Sequence, residues 1–236
     1  MVNAPLLENQ ILVCATSNRQ HGNTSLFYQN IEHSLDNRKG FLETLGIDYR
    51  DLVCAKQIHS NKVVYVTEED RGKGALTYDS SIPDTDAFIT DIKKLPLAIF
   101  TADCLCVSLF DSSRPSVGIV HAGWKSTKEN IVLETIRLMQ EKFDAQPKNL
   151  SASFSPAIRN CCYEVGKDFG GALIERDGRF YFDLIKANKE QLLAAGLSSG
   201  NIFDSGICTS CRNNEYFSYR KERDKSARML SVIMLK

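Results

Sequence analysis

Two short apolar segments, separated by a polar turn, constrain this fold more than any other part of the sequence. Residues 105–110 and 117–120 are apolar and partly β-branched, a pattern typical of strands that are covered on both faces. Residues 111–115 between them are enough for a turn, so the strands are predicted to be antiparallel neighbours. The pair is therefore expected to lie inside the protein.

Functional side chains stand at one end of this strand pair. Asp103 and Cys104 come at the start of the first strand and His121 at the end of the second, so an antiparallel pair brings Cys104 and His121 together. A thiolate and an imidazole held by rigid strands can bind a metal ion, or they can form a nucleophile–base pair. A buried cysteine beside a core histidine is the third interpretation, and this stretch alone does not decide among the three.

The composition is that of an ordinary globular protein. Of 236 residues, 43% are apolar, and 29 basic side chains balance 29 acidic ones. We expect one domain over residues 1–236, and no nucleic-acid partner because the charge is balanced. The sequence after Met1 shows no signal-peptide core, and no apolar run is long enough to span a bilayer. A cytoplasmic protein without a membrane partner is therefore expected.

Eight cysteines in such a chain are expected to be mostly reduced. Cys161 and Cys162 are adjacent, and adjacent side chains point in different directions, so we predict tight packing rather than two ligands to one ion. Cys208 and Cys211 form a C-x-x-C motif, but a zinc ribbon needs a second such pair, and a redox dithiol needs a thioredoxin-like context. A structural role is favoured for these four cysteines.

A histidine and two aspartates are further candidates near the strand pair. His59 lies in the connection between predicted strands 52–57 and 62–66, a common position for functional residues. Asp84 and Asp86 come just before the next strand, and residues two apart on a strand point the same way. Both carboxylates are thus candidates for orienting a histidine. For Asp84, a plain turn is the competing interpretation.

A basic residue follows His121 at a predicted helix start. Ser126 and Glu129 fit a capping box, which places the free N–H groups of a helix just after the strand pair. Lys125 adds positive charge there, so this position can receive an anion such as phosphate.

Two arginines are also candidate anion contacts, whereas a third is predicted to be solvated. Arg38 lies in a predicted helix over residues 31–45, and taken alone its position is typical of a solvated helix face. Arg220 ends a predicted strand over residues 215–220, and Arg228 precedes the last predicted strand.

Seven motifs occur in order along the chain and together resemble one family. They are Q-I-H-S (57–60), D-T-D-A-F-I-T-D (84–91), A-D-C-L-C-V (102–107), V-H-A-G-W-K (120–125), S-P-A-I-R-N-C-C-Y-E-V-G (155–166), A-N-K-E-Q-L (187–192) and C-T-S-C with F-S-Y-R (208–220). Over roughly residues 50 to 236 the chain resembles the laccase-domain family, also called the multicopper polyphenol oxidase-like or peptidoglycan editing factor family. Members are described as zinc-dependent purine nucleoside phosphorylases.

The resemblance implies a metal site and a fold. The family's metal ligands map onto His59, Cys104 and His121, which would hold zinc with one open position, or copper in the family's older description. Asp103 or Asp86 is implied to orient the ligands, and Cys104, His121 and Asp103 to act in catalysis. The implied fold is α+β, with mixed β-sheets packed in a layered sandwich and helices outside, in a single domain.

The resemblance also implies an activity. Similar proteins are described as phosphorolysing adenosine, inosine and methylthioadenosine to a base and a ribose 1-phosphate, and as deaminating adenosine. The implied partners are a purine nucleoside and phosphate. Arg38 stands in the place of the family's N-R pair and is the first candidate for phosphate, with Lys125 and Arg220 in support.

The chain departs from the family pattern mainly on the phosphate side. The family's glycine-rich T-R-x-G-G-V-S pattern appears only as T-S-N-R-Q-H-G-N-T-S (16–25), and Ser155 and Arg159 stand where glycines are usual. These differences leave the three metal ligands untouched.

Two other functions fit the same residues. Cys104 as nucleophile with His121 as base would make a hydrolase acting on an amide such as a peptidoglycan precursor. A family member that had lost its phosphate pocket would instead be a non-catalytic zinc-binding interaction module. A multicopper oxidase is excluded, because four histidines cannot build a trinuclear copper cluster.

Overall fold

The described residues fold into three β-sheets with helices outside them. A computed structural model of the chain describes residues 2–3, 11–27 and 31–236, so the expected domain of residues 1–236 includes positions outside these ranges. The strands are β1 (Val2–Asn3), β2 (Leu12–Thr16), β3 (Val53–Cys54), β4 (Val63–Tyr65), β5 (Ala87–Thr90), β6 (Leu97–Thr101), β7 (Leu105–Asp111), β8 (Ser116–Ala122), β9 (Leu150–Phe154), β10 (Glu164–Val165), β11 (Leu173–Arg176), β12 (Arg179–Phe182), β13 (Ile202–Asp204) and β14 (Met229–Leu235). The helices are α1 (Ile31–Glu43), α2 (Trp124–Lys128), α3 (Ile131–Phe143), α4 (Leu184–Ala194) and α5 (Tyr219–Glu222). Within these ranges, none of the helices combines the length and apolar character that crossing a membrane requires.

Two of the sheets carry most of the core. One has five strands in the order β1-β2-β14-β6-β3, and the other has six in the order β13-β9-β7-β8-β5-β4. Most neighbouring strands are antiparallel, whereas three pairs are parallel: β3 with β6, β4 with β5, and β13 with β9. A smaller sheet has the order β10-β12-β11. The two large sheets are therefore mixed, as predicted, whereas the smaller one is antiparallel.

The two large sheets pack face to face, and helices cover their outer faces. In β14, Ile233 joins the apolar layer between the sheets, whereas Val232 packs in the layer that includes α1. In β8, Ile119 enters the layer between the sheets, whereas Val120 packs with residues of α3 and α4. Because neighbouring residues in a strand face opposite sides, each sheet separates two apolar layers. The order of layers is helix, sheet, sheet, helix, which confirms the predicted α+β sandwich with outer helices.

The central strand pair is confirmed by β7 and β8. All residues of both strands are buried, and the strands are antiparallel with Cys106 opposite His121. The turn between them is closed by Asp111, whose carboxylate accepts the N–H groups of Ser113 (2.8 Å) and Arg114 (3.2 Å). This register brings the residues before β7 and the end of β8 to the same edge.

The helix after β8 begins differently from the prediction. Gly123 is the N-cap of α2, and Ser126 lies inside the helix, where its hydroxyl donates to the His121 carbonyl (2.9 Å) and the Gly123 carbonyl (3.2 Å). The predicted capping box of Ser126 and Glu129 is therefore wrong. Asn130, with a left-handed φ of 60°, separates the five-residue α2 from α3.

The strand predicted over residues 215–220 is also wrong. The chain there turns into α5, because the Ser218 carbonyl accepts the N–H groups of Lys221 (3.2 Å) and Glu222 (2.9 Å). Arg220 thus lies in a short helix.

Candidate metal centre

His59, Cys104 and His121 meet at one end of the β7–β8 pair. Their ligand atoms all lie within 4.8 Å of one another, and Cys104 Sγ is 3.8 Å from His59 Nε2. The two imidazole rings lie 4.6 Å apart, centroid to centroid, with their planes at 70°. Metal bonds of about 2.0–2.3 Å from imidazole nitrogen and thiolate sulfur allow one ion to reach all three. These residues, called the candidate metal centre below, therefore fit a single metal ion.

The buried carboxylate of Asp86 holds both histidines in place. Its Oδ1 accepts the Nδ1–H of His121 (2.7 Å) and the backbone N–H of His59 (3.0 Å). Its Oδ2 accepts the N–H groups of Ile58 (3.2 Å) and Ser60 (2.8 Å), and the Ser60 hydroxyl (2.9 Å). With Nδ1 of His121 engaged, Nε2 of that ring is left for a metal ion.

The loop that carries His59 is fixed from both ends. His59 has a φ of 64°, in the left-handed region that non-glycine residues seldom adopt. The Gln57 side chain donates to the Phe100 carbonyl (2.9 Å) and accepts the Phe100 N–H (2.8 Å), which ties the loop to β6. Asp86 collects the N–H groups of residues 58–60. Together these contacts maintain an otherwise unfavourable backbone conformation.

Asp84 does not share the role of Asp86. Asp84 is exposed and has a φ of 50°, whereas Asp86 is buried. The prediction that both carboxylates point the same way is wrong, because β5 begins only at residue 87 and Asp84 lies in the turn before it. The competing interpretation of Asp84, a plain turn, is the one the structure supports.

Asp103 ties neighbouring loops to the candidate metal centre. Its Oδ1 accepts the Thr209 hydroxyl (2.6 Å), and its Oδ2 accepts the Ser218 hydroxyl (3.1 Å) and the backbone N–H of Arg220 (2.6 Å). Asp103 itself has a φ of 82° directly before Cys104. Of the two aspartates predicted to orient the ligands, Asp86 contacts the histidines, whereas Asp103 anchors the loops beside Cys104.

The three charged groups of this site stabilise one another. Burial disfavours the thiolate of Cys104, but His121 and His59 outweigh it and lower the pKa of Cys104 to about 6. Burial also opposes the charge on His121, but Cys104 and Asp86 raise the pKa of His121 to about 9. Despite its burial, Asp86 has a pKa lowered to about 2 by His121 and Ser60. Without metal, the site therefore holds a thiolate, an imidazolium and a carboxylate at neutral pH.

Zinc binding at this site is expected to release a proton and to strengthen as the pH rises. Near neutral pH the ion must displace the proton of His121, whose pKa is about 9, while Cys104, with a pKa of about 6, is already ionised. The affinity should rise about tenfold per pH unit between these values, and more steeply below about pH 6. Calorimetric zinc titrations in buffers of different ionisation enthalpy measure the number of protons released. The same titration of the Cys104→Ala protein is subtracted as the background. An absence of proton release near pH 7.5 would contradict this expectation.

Gly123 leaves the space that the ligands occupy. A Cβ atom on this residue would lie 2.8 Å from Cδ2 of His59 and 3.2 Å from Sγ of Cys104. Its φ of −73° suits any residue, so glycine is needed here for space and not for backbone freedom. In the sequence Gly123 stands out only as part of the V-H-A-G-W-K motif, which gives it no individual role. Its position between a ligand and a helix start was the available signal.

The Gly123→Ala substitution is expected to weaken zinc binding by about tenfold or more, because the new methyl group displaces His59 and Cys104. Zinc affinity by competition with a chelator, together with the thermal unfolding temperature, measures the effect. Gly166→Ala is the matched control, since a Cβ atom there meets no atom within 4 Å. Wild-type zinc affinity in Gly123→Ala would count against this role.

A cavity of about 550 Å³ opens onto the candidate metal centre. This volume lies within the range of small-molecule sites. Aromatic side chains form much of its wall: Phe27, Tyr78, Phe100, Trp124, Tyr163 and Tyr219. Four arginines also line it: Arg38, Arg220, Arg223 and Arg228. Aromatic faces suit a flat heterocycle and guanidinium groups suit a phosphate, so the cavity offers complementary chemistry for both.

Arg38 lines this cavity from a buried position. Its side chain is only 2% exposed, so the solvated position considered for it is wrong. Its Nε donates to the Thr24 carbonyl (2.6 Å), and its Nη1 donates to the carbonyls of Gly74 (2.8 Å) and Ala75 (2.7 Å). Much of its hydrogen-bonding capacity therefore holds loops of the protein. Phosphate binding by Arg38 stays a prediction.

Arg220 and Lys125 are placed differently from each other. Arg220 lines the cavity, is half-buried and donates through Nη2 to the Glu164 carbonyl (2.8 Å). Lys125 is exposed beside Trp124, with Nζ 5.6 Å from the ring centroid, and is not among the residues that line the cavity. The structure thus brings Arg220, but not Lys125, to the cavity that contains the candidate metal centre.

The remaining predicted cysteines lie together, contrary to expectation. The sulfur atoms of Cys161, Cys162, Cys208 and Cys211 all lie within 4.8 Å of one another. The expectation that the side chains of the adjacent pair point in different directions is wrong. In a tight turn, where the N–H groups of residues 162 and 163 both donate to the Arg159 carbonyl (2.8 Å each), adjacent side chains can reach the same side.

Comparisons of the sequence with known proteins give consistent results. A family model described as multi-copper polyphenol oxidoreductase laccase matches residues 18–236. Purine nucleoside phosphorylase YlmD of Geobacillus stearothermophilus is 32% identical over 212 residues, which cover 84% of this chain and 77% of that protein. Adenosine deaminase RL5, from an unknown prokaryotic organism, is 30% identical over 215 residues, covering 86% of this chain and 82% of that protein. Relatives of this chain are thus named for nucleoside-processing reactions.

Solved structures share the same fold. The crystal structure of YlmD from Geobacillus stearothermophilus superposes with a TM-score of 0.90 at 30% identity, covering 96% of this chain and 93% of that chain. Neisseria meningitidis protein NMB0706 superposes with a TM-score of 0.79 at 27% identity, covering 100% and 98%. Because the family match extends from residue 18 to residue 236 and the sandwich superposes on that of YlmD, the chain belongs to the multi-copper polyphenol oxidoreductase laccase family.

Proposed function

We propose that this chain is a zinc-dependent purine nucleoside phosphorylase with accompanying adenosine deaminase activity. The observation that carries the proposal is the cavity in which the candidate metal centre, an aromatic wall and four arginines meet. Relatives named purine nucleoside phosphorylase and adenosine deaminase support it. The proposed substrates are adenosine, inosine and methylthioadenosine, with phosphate as the second substrate.

Zinc is the proposed ion, held by His59, Cys104 and His121. Two imidazoles and a thiolate form a donor set that zinc uses in catalytic sites, with a fourth position open. When bound, zinc supplies a Lewis acid that can activate water or polarise a substrate group. Asp86 keeps the Nε2 atom of His121 available by accepting its Nδ1–H at 2.7 Å. Copper, the metal in the family's name, is the alternative ion.

The aromatic wall is proposed to bind the purine base. A purine has two flat faces, and Phe100, Trp124 and Tyr163 offer aromatic surface beside the candidate metal centre. Burial and the nearby charge of Cys104 hold the pKa of Tyr163 well above its ordinary value. The Tyr163 hydroxyl therefore stays protonated at neutral pH and can donate a hydrogen bond to a purine nitrogen.

The arginines are proposed to bind phosphate, with Arg220 as the main contact. Arg220→Ala is expected to raise the KM for phosphate by about tenfold or more, because a hydrogen bond to a charged group contributes about 1.5–3 kcal/mol. Lys125→Ala should change this KM by no more than about twofold, since Lys125 lies outside the cavity wall. Initial rates at varied phosphate concentration measure both. Equal effects of the two substitutions would contradict the assignment.

The test of the proposed function is the incubation of zinc-loaded protein with adenosine, with and without phosphate, and chromatography of the products. We expect adenine and ribose 1-phosphate only when phosphate is present, and inosine in both conditions. Inosine alone would overturn the phosphorylase part. Zinc retention without turnover of any nucleoside would overturn both activities and leave the non-catalytic zinc-binding module.

A second candidate, a cysteine hydrolase acting on a peptidoglycan-precursor amide, is favoured by the packing of the Cys104 thiol against an imidazole, with Cys104 Sγ 3.8 Å from His59 Nε2. His121 and His59 lower the pKa of Cys104 to about 6 against the effect of burial, so a nucleophilic thiolate exists at neutral pH without metal. This hydrolase would cleave the amide after removal of metal, and zinc would inhibit it. If only the zinc-loaded protein cleaved the amide, and the metal-free protein did not, the result would argue against a free-thiolate mechanism.

A further inference from the structure

Four cysteine sulfurs lie close together outside the candidate metal centre. The four-cysteine cluster consists of Cys161, Cys162, Cys208 and Cys211. Cys211 Sγ is 3.3 Å from Cys162 Sγ and 3.6 Å from Cys161 Sγ, and all four sulfurs lie within 4.8 Å of one another. Four bonds of about 2.3 Å to a tetrahedral zinc ion place the sulfurs about 3.8 Å apart. A disulfide needs about 2.05 Å, so the spacing fits a shared ion.

We propose that the four-cysteine cluster binds one zinc ion in a structural site. Four thiolates fill a tetrahedral ion completely, which is the arrangement of structural and not catalytic zinc. Soft thiolate ligands favour zinc over the harder divalent ions. The backbone N–H groups of Cys211 and Arg159 contact the Cys208 sulfur, an arrangement that stabilises a metal-bound thiolate.

The fold brings two distant segments together at this cluster. Cys161 and Cys211 are 50 residues apart in sequence. An isolated parallel bridge joins Ala157 to Cys208, and the Thr209 N–H donates to the Ala157 carbonyl (3.1 Å). These backbone contacts align the two loops. Cys208 is buried, whereas Cys161 and Cys211 are exposed, so an ion can enter from solvent.

The first loop and the helix that follows the second loop both line the substrate cavity. Ile158 and Tyr163 line it from the first loop, and Tyr219 and Arg220 line it from α5. A zinc ion at the four-cysteine cluster would therefore connect two walls of the cavity and limit their relative motion. Its proposed role is to hold the loops together.

The test is a measurement of zinc by mass spectrometry of the purified, reduced proteins. Wild type is expected to retain about two zinc ions per chain, and Cys104→Ala about one. Cys208→Ser and Cys211→Ser should also retain about one, because each keeps the candidate metal centre. Cys106→Ser is the matched control and should retain about two, since Cys106 is a buried cysteine outside both sets of ligands.

The Cys104→Ala protein keeps the proposal testable if the Cys208 variants do not fold. Its remaining zinc should be released by a thiol-blocking mercurial, and chelation should lower its thermal unfolding temperature. Cobalt substituted into it should give the thiolate charge-transfer absorption of a tetrahedral sulfur site. Three results would each overturn the proposal. They are a Cys104→Ala protein that contains no zinc, iron found in place of zinc, or the mass loss of a disulfide in protein isolated without reductant. None of these readouts depends on nucleoside turnover.

Discussion

Replacing Cys104 by alanine is expected to lower adenosine turnover by about a hundredfold or more and to remove zinc from the candidate metal centre. Cys104 is the cysteine among three candidate ligands whose atoms lie within 4.8 Å of one another. If the free energy of binding a structural zinc is shared among four ligands, each contributes about 2.5–4 kcal/mol, which corresponds to about a hundredfold or more in affinity. Turnover measured with limiting zinc, together with zinc content, tests this expectation.

Cys106→Ala is the matched control for this substitution. Cys106 lies in β7, two residues after Cys104. It is buried and burial raises its pKa to about 12, so it stays a neutral thiol. It should keep wild-type zinc content and turnover. A Cys104→Ala protein that retained both properties would refute the metal role. If the Cys104→Ala protein kept normal zinc at both sites but lost amide cleavage, the result would favour the nucleophilic role of Cys104.

Replacing Asp86 by alanine is expected to destabilise the protein and to weaken zinc binding together. The substitution leaves the N–H groups of residues 58–60 without their acceptor and frees the Nδ1 atom of His121. Unpaired N–H groups cost about 1–3 kcal/mol each, so a loss of about 3–5 kcal/mol is expected. For a chain of this length that corresponds to a fall of about 10 °C in Tm. Zinc affinity should fall about 10–100-fold, as for other residues that support metal ligands.

Asp84→Ala is the matched control, because this aspartate is exposed and lies two residues away. It should change neither Tm nor zinc affinity measurably. Asp86→Asn keeps the side-chain shape but removes the charge. Its Tm and zinc affinity should therefore lie between those of Asp86→Ala and Asp84→Ala. Calorimetric unfolding and chelator competition measure both effects. An Asp86→Ala protein with wild-type Tm would show that the loop around His59 is held by other contacts.

The centre of the fold and the proximity of two of the three candidate ligands were predictable from local patterns. The apolar runs around Val107 and Ile119, joined by a short turn, predict a buried antiparallel pair because burial on both faces requires such runs. That pair places Cys104 near His121 by register alone. His59 was added by resemblance to a family, and the structure explains its position through Asp86 and the Gln57 contacts with β6.

Other features depend on contacts between distant segments and therefore lacked a local signal. The grouping of Cys161 with Cys211 requires a tight turn in one loop and a bridge between two loops, neither of which C-C or C-x-x-C spacing reveals. Arg38 lies on a helix whose pattern permitted exposure, but its guanidinium is enclosed by carbonyls from two other segments. The different roles of Asp84 and Asp86 follow from where β5 begins, and such boundaries are set by tertiary contacts.

The position of β14 has a consequence for biosynthesis. This strand lies between β2 and β6 and bonds to both, although it follows every other described element along the chain. The five-stranded sheet therefore cannot close until residue 235 has left the ribosomal exit tunnel. During that interval the nascent chain exposes the apolar faces and free strand edges that β14 later covers, the type of surface that chaperones bind. Completion of the sandwich therefore waits until the last of the described strands has been synthesised.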